Sequence, residues 1–354
     1  MSDYINIWDY EDERYPFQIF IGGRGTGKTY SALEGVSTPS KRADNKVEKF
    51  MYLRRMKQEA ELLLDSDKKG EGANPFKPIN RNLNLNIGIK KMNSQLGSIC
   101  ERDYGSEGKF IYSNTPLGYS AALTSIASMR SLAFNDVTDI IYDEFIPEKH
   151  LHKIKGECDA LLNAYETINR NREFEGEKAC RLWLLANSND IYNDYFIGLG
   201  IVSECEKMLR KGLTDKYFED RGLAIHILPP SKSFAEKKSK TAIARLTKGL
   251  QFARMAYSNE FAYNDFSLIG RRTLKGYIPF ASISNKAYIY RKKGQHEYYI
   301  SYAKSKVQNY DVKTEQDRRM FMRKYGYWLV DEFTASNIVF ESYELKALLL
   351  DIIL

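Results

Sequence analysis

A chain of 354 residues with 43% hydrophobic and 28% charged residues has the composition of a globular protein, and its length suits two domains better than one core. No apolar stretch approaches the roughly 20 residues of a membrane span and the start, Met1-Ser2-Asp3-Tyr4, has no signal-peptide pattern, so a cytoplasmic protein without a membrane partner is expected. The net charge of +7 is uneven: residues 231–354 hold 22 Lys+Arg against 12 Asp+Glu, and residues 1–230 hold 31 against 34, which suits an NTPase working beside a polyanion.

The first apolar run, 17–21, leads into Gly22-Gly23-Arg24-Gly25-Thr26-Gly27-Lys28-Thr29, a full match to the phosphate-loop pattern G-x-x-x-x-G-K-[ST], and then into a helix start at Tyr30-Ser31-Ala32-Leu33. The glycines let backbone N–H groups turn inward around phosphate, and the helix adds its positive end. Lys28 would reach the β- and γ-phosphates, and Thr29 would offer its hydroxyl to Mg²⁺. A glycine-rich hairpin turn with an incidental lysine is the bland alternative, and the flanking strand and helix weigh against it. Arg24, inside the loop, can reach phosphate or a neighbouring subunit.

A second apolar run, 50–53, ends in Arg54-Arg55-Met56-Lys57, three cations for the same sheet edge. Residues 65–108 read as an insertion, with a polar turn-rich start and strand-like alternation over Leu83 to Ile89. Asp139-Ile140-Ile141-Tyr142-Asp143-Glu144 is an apolar strand ending in two carboxylates. Asp143 suits a Mg²⁺ site and Glu144 suits activation of water; binding alone needs only the aspartate, so the glutamate argues for hydrolysis. Lys149, Lys153 and Lys155 follow at once, as candidate DNA-backbone contacts or as ordinary solvated loop lysines.

Glu157 to Ile168 has an apolar helical face at Leu161, Leu162, Tyr165 and Ile168. It runs into Asn169-Arg170-Asn171-Arg172-Glu173, where spacing alone favours helix-end capping over a charge-neutralising finger. The run 182–186 ends in Asn187-Ser188-Asn189, where Asn187 would contact the γ-phosphate or the attacking water, or simply begin a turn. A last run, 224–228, is closed by Pro229-Pro230-Ser231. Continuous apolarity in these runs, with helices between them, predicts a parallel sheet covered on both faces, a three-layer α/β sandwich.

Beyond it lies a basic helical segment from Phe234 to about Met255, carrying Lys237 and Lys238 as further DNA-contact candidates. Tyrosine-rich β patterns follow at 287–290 and 298–302, and a helix candidate closes the chain at Tyr343 to Ile353. Cys100, Cys158, Cys180 and Cys205 lack C-x-x-C spacing, which argues against zinc and against a disulfide framework.

In series, Phe20 to Thr29, Tyr52-Leu53-Arg54-Arg55-Met56-Lys57, Ile141-Tyr142-Asp143-Glu144-Phe145-Ile146-Pro147-Glu148-Lys149, Asn169 to Glu173, Ala186-Asn187-Ser188 and Asn193-Asp194-Tyr195-Phe196 resemble the DNA-packaging motor ATPases of φ29-type tailed phages. The resemblance spans most of the first 230 residues and thins beyond Pro230. It implies an ASCE-type P-loop ATPase domain over 1–230, a basic helical linker over 231–258, and a smaller α+β domain over 259–354 that is RNase-H-like, a vestigial nuclease. It further implies a homo-pentameric ring at the portal vertex of a procapsid in the host cytoplasm, driving double-stranded DNA inward with ATP and Mg²⁺, possible partners including a packaging RNA. Lys28, Thr29, Asp143 and Glu144 carry over in the roles given above. Arg170 carries over as a trans-acting finger, against the capping role its spacing favours, and Lys57 as a second trans cation. No nuclease activity is expected, because Asp265, Asp311 and Asp331-Glu332 form no paired cluster. The competing functions are an AAA-type helicase loader or replication initiator, which would prefer single-stranded DNA, and a nucleotide-gated DNA-binding scaffold without turnover.

Overall fold

The computed structural model describes residues 4–38, 48–64, 73–105, 109–126, 129, 134–147, 154, 156–188, 190–229, 236, 239–246, 266, 268–312 and 314–353. The chain divides into two compact units, Met1–Leu199 with Lys211–Tyr263 and Gly200–Arg210 with Asn264–Leu354.

The first unit is built on one ten-stranded sheet. Its strands are β1 (Phe17–Ile21), β2 (Lys49–Arg54), β3 (Ile87–Lys91), β4 (Leu96–Tyr104), β5 (Phe110–Tyr112), β6 (Gly118–Ala122), β7 (Val137–Asp143), β8 (Arg181–Ala186), β9 (Asp215–Phe218) and β10 (Leu223–Ile227). The order is β3-β4-β6-β2-β7-β8-β1-β10-β9, with β5 on β4. The six strands from β6 to β10 are parallel, and they include all the continuous apolar runs, since a strand covered on both faces needs apolar side chains on both. Strand β8 stands between the strand before the phosphate loop and the strand bearing the acids, which is the ASCE arrangement.

Helices cover both faces. On one, α1 (Lys28–Val36) packs Ala32 and Leu33 into a core with Phe20, Tyr52, Ile141, Trp183 and Leu185. On the other, α5 (Glu157–Asn169) sets Tyr165 against Phe17, and α6 (Asp194–Gly198) sends the Tyr195 hydroxyl to that of Tyr142, 2.7 Å away. The chain's first described residues strap the α1 face: Ile7 N–H donates to Ser31 Oγ at 2.9 Å and the Trp8 indole to Ser31 O at 2.9 Å.

Two features depart from the sequence expectation. The strand-like stretch from Leu83 is instead the end of helix α3 (Lys77–Leu83), and β3 begins only at Ile87, whose N–H and C=O are both taken by the Asn80 side chain at 2.9 Å. The supposed insertion is an extension of the sheet: β3, β4 and β5 pair antiparallel, and β4 joins β6. Strand β6 begins at a glycine where there is no room for a side chain; a Cβ on Gly118 would lie 2.4 Å from Phe50 O.

The second unit holds a five-stranded mixed sheet, β14-β11-β12-β13-β15, of β11 (Tyr277–Ile283), β12 (Ala287–Lys292), β13 (Tyr298–Ser301), β14 (Asn309–Tyr310) and β15 (Ile338–Phe340). Alternation splits its faces: Ile283, Ile289 and Ile300 meet Leu345 and Leu349 of the closing helix Tyr343–Ile353, while Tyr288, Tyr290 and Tyr299 cluster on the other side. This is the α+β pattern expected of it. Residues 200–210 also belong to this unit, so the sequence boundary at 230 is crossed by one helical segment; Glu206 accepts the Tyr343 N–H at 3.2 Å. Of the proposed linker, the described residues, 236 and 239–246, include a helix at Ala242–Leu246.

Candidate nucleotide site

Strand β1 is hydrogen-bonded on both sides, so its end at Ile21 is fixed and the loop leaves it from a rigid base. Gly22 N–H still follows the sheet, donating to Ala186 O at 3.1 Å. Gly25 and Gly27 then take φ of +79° and +94°, a region in which side chains are strained. The turn places Lys28 at the start of α1, 7% exposed, with Nζ donating to Gly22 O (2.9 Å), Gly23 O (3.0 Å) and Thr26 Oγ1 (3.2 Å). Burial pushes its ammonium down to about 8, against the opposing pull of Asp143 and Glu144.

Those acids arrive on β7, two strands away. Thr29 Oγ1 donates to Asp143 Oδ1 at 3.0 Å, and the Glu144 N–H donates to the same oxygen at 3.1 Å. The other oxygen accepts from the Tyr52 hydroxyl at 3.0 Å and from Arg54 Nη1 at 3.2 Å. Burial raises the Asp143 carboxyl above its ordinary value, and Arg54 counteracts this. A hydroxyl and a buried carboxylate side by side are the hard oxygen ligands that Mg²⁺ takes, so the donor set fits that ion.

Glu144 sits in the left-handed region at φ +54°, a strained setting for a side chain, and its carboxylate is paired with Arg54 Nη2. Arg54 thus spans both acids. Asn187 follows the last residue of β8, the strand between the phosphate loop and the acids, and is at the same sheet edge.

The remaining cations fall elsewhere. Arg24 is exposed on the loop. Lys57 opens helix α2 (Lys57–Leu62), half-exposed, 3.7 Å from Glu61. The Arg-x-Arg pair divides its labour: buried Arg172 caps α5 through Asn169 O and Ile168 O, while Arg170 is exposed, at φ +51°, with Nε 3.3 Å from Thr167 O. Arg170 also lies at the far end of the sheet. Its neighbour Asn169 accepts from the N–H of Cys180, just before β8 begins, whereas the phosphate loop lies beside the last residue of β8. The structure therefore gathers Lys28, Thr29, Asp143, Glu144 and Asn187 at one edge and puts Arg170 at the other. Lys149, Lys153, Lys155, Lys237 and Lys238 lie outside the described residues.

Sequence reasoning gave Tyr52 and Arg54 no specific role. The signal was there in part, since residues two apart on a strand share a face. It becomes legible only when β2 is known to lie beside β7. Arg55, one residue on, faces away from the nucleotide edge and pairs with Glu157 in the interior.

Residues 89–326 match the family described as Podovirus DNA encapsidation protein (Gp16). The chain belongs to that family. Among individual DNA packaging proteins, that of Bacillus phage B103 is 29% identical over 264 residues, covering 74% of this chain and 70% of its own length. That of Bacillus phage phi29 is 27% identical over 267 residues, covering 75% and 68%. Among solved structures, the phi29 viral genome packaging motor assembly aligns with 99% of this chain and 98% of its own at a TM-score of 0.63 and 20% identity. The Phi-28 gp11 DNA packaging motor aligns with 100% and 97% at 0.54 and 18%. These two alignments show a fold shared with those chains over the residues of both units.

Proposed function

We propose that this Gp16-family protein is the ATP-hydrolysing subunit of a phage genome-packaging motor. The observation that carries the reading is the contact of Thr29 with Asp143, with Glu144 next in the chain and Lys28 buried beside them. Loop N–H groups and Lys28 would hold the phosphates, and Thr29 and Asp143 would hold Mg²⁺. The ion would offset charge on the phosphates. Glu144 takes a proton from water as the water oxygen attacks the γ-phosphorus and ADP leaves. For this, Glu144 must exchange its pairing with Arg54 for the water. Asn187 is the polar group available beside the γ-phosphate.

Arg170 acts on the neighbouring subunit's nucleotide, since its place at the far sheet edge keeps it from its own. A ring, pentameric in the reading taken here, supplies that neighbour, and Lys57 is a second cation for it. The basic surface of the C-terminal unit and the lysines at 149, 153, 155, 237 and 238 neutralise phosphates of double-stranded DNA without reading bases, as a motor passing over every sequence requires. Nuclease activity is absent from this reading. Asp265, Asp311 and Asp331-Glu332, the acids available for a metal there, form no paired cluster in the sequence. The portal vertex of the procapsid, in the host cytoplasm, is the site of assembly, with a packaging RNA as a further partner.

The test is phosphate release with and without double-stranded DNA and procapsids. Stimulation by duplex DNA above single strands is expected; a flat response would leave only the scaffold reading, and a single-strand preference would favour the helicase loader. In mixed assemblies, Arg170→Ala and Glu144→Gln subunits should recover turnover where an intact arginine faces an intact glutamate.

A further inference from the structure

We propose that the buried pair Arg55–Glu157 is the positioning joint for Arg170: through helix α5 it ties the arginine presented to a neighbouring subunit to the strand end that contacts the subunit's own catalytic acids. The inference rests on the trans role of Arg170 proposed above.

Arg54 is the last residue of β2 and Arg55 follows it, and their side chains go to different partners. Arg54 engages Asp143 and Glu144. Arg55 enters the interior, where Nε and Nη2 both bind Oε1 of Glu157, the first residue of α5, with Nε at 2.9 Å. The same oxygen accepts the Ile154 N–H at 2.8 Å. Both side chains of the pair are nearly sealed, at 2% and 3% exposure. Separating them would strand a charge in the interior, so they move together.

What they hold is a rigid rod. Helix α5 spans 13 residues, about 20 Å at the usual rise. At its far end the Tyr165 hydroxyl donates to Cys180 O at 2.9 Å and Asn169 accepts from Cys180 N–H at 2.9 Å. Arg170 and Asn171 then take left-handed φ of +51° and +55° in succession. Such a turn sets the direction in which the Arg170 side chain leaves the backbone. The plain alternative is that Glu157 merely stabilises the start of α5. A solvated carboxylate would do that at less cost in desolvation, and an apolar pair would fasten the helix equally well. Neither would join the helix to the residue next to Arg54 through directional hydrogen bonds. When Glu144 leaves Arg54 for its water, the rearrangement at 54 reaches Arg55 through one peptide bond, and α5 carries it to Arg170.

The test uses the full-length chain assembled on procapsids with duplex DNA. The double variant Arg55→Met with Glu157→Met keeps the volume without leaving a lone charge. It is expected to bind a fluorescent ATP analogue within about twofold of wild type, yet to lose at least tenfold in turnover, like Arg170→Ala. Mixing it with Glu144→Gln subunits, whose joint and arginine are intact, should recover turnover at shared interfaces. Unchanged turnover, no recovery on mixing, or a tenfold loss of analogue binding would each overturn the proposal. If the double variant does not fold, Glu157→Gln, which keeps the acceptor oxygen, is read in the same assay with a smaller loss and the same recovery expected. A wild-type protein that fails to bind the analogue, or an Arg170→Ala and Glu144→Gln mixture that shows no recovery, would sink the function reading itself. Failure of the joint variants alone sinks only this inference.

Discussion

Lys28 shows most directly how one residue's setting becomes a measurable property. Buried, with its ammonium lowered to about 8, it binds fewer protons in the folded ligand-free state than in the unfolded chain. Its contribution to folding stability is therefore unfavourable below pH 8 and is relieved as the pH rises toward 10.5. Bound phosphates favour the charged form, so ATP affinity should run the other way. It should be flat below about pH 8 and fall up to tenfold per unit above, an inflection absent from Lys28→Met; equilibrium titration across pH 6.5–9.5 checks this. Glu144→Gln should leave the dissociation constant of ATP nearly unchanged and lower turnover by ~10²-fold or more. Substantial residual hydrolysis would remove Glu144 from its role. Arg54→Leu leaves the buried Asp143 carboxylate without its cation. Its melting temperature should fall in the ligand-free state and recover in Mg²⁺ with ATP, as the metal replaces the lost charge; a deficit equal in both states would count against a Mg²⁺ site at Asp143.

Among the elements, α5 links the sheet's two edges, and its ends are held differently. The N-terminal end depends on an ion pair and the C-terminal end on neutral hydrogen bonds and the Arg172 cap. Glu157→Ala should thus cost about 3–5 kcal/mol in denaturant unfolding, the penalty for leaving Arg55 buried and unpaired, against less for the paired Met substitution. The helix itself was legible from its apolar spacing. The pairing of Arg55 was not, because nothing in a local window says that β2 and the start of α5 meet 102 residues apart. Strand β6 was missed for the opposite reason. Its opening glycine, Gly118, is dictated by the close approach of Phe50, a neighbour known only in three dimensions.

At the scale of the whole molecule, the excess of basic residues beyond 230 predicts how the protein meets DNA. Affinity of the full chain for duplex DNA should fall linearly in a plot of log K against log salt, with the same slope for unrelated sequences. A slope near zero, or a strong dependence on sequence, would contradict backbone-only contact. The boundary between the two units is not the single cut at 230 that composition suggests, since residues 200–210 pack with the C-terminal unit.

By itself the sequence determined the phosphate loop, the acidic strand end, five of the six parallel strands and the closing helix. Each is encoded locally, by glycine spacing, by carboxylates after an apolar run, or by periodicity. Tertiary structure alone decided which charges meet. Strand order brings Arg54 onto Asp143 and Glu144, buries Arg55 against Glu157, and sends Arg170 to the far edge while Arg172 turns in to cap. A run of arginines looks alike in sequence because each carries the same charge. Their roles separate only when the fold assigns each one a face, a depth and a partner.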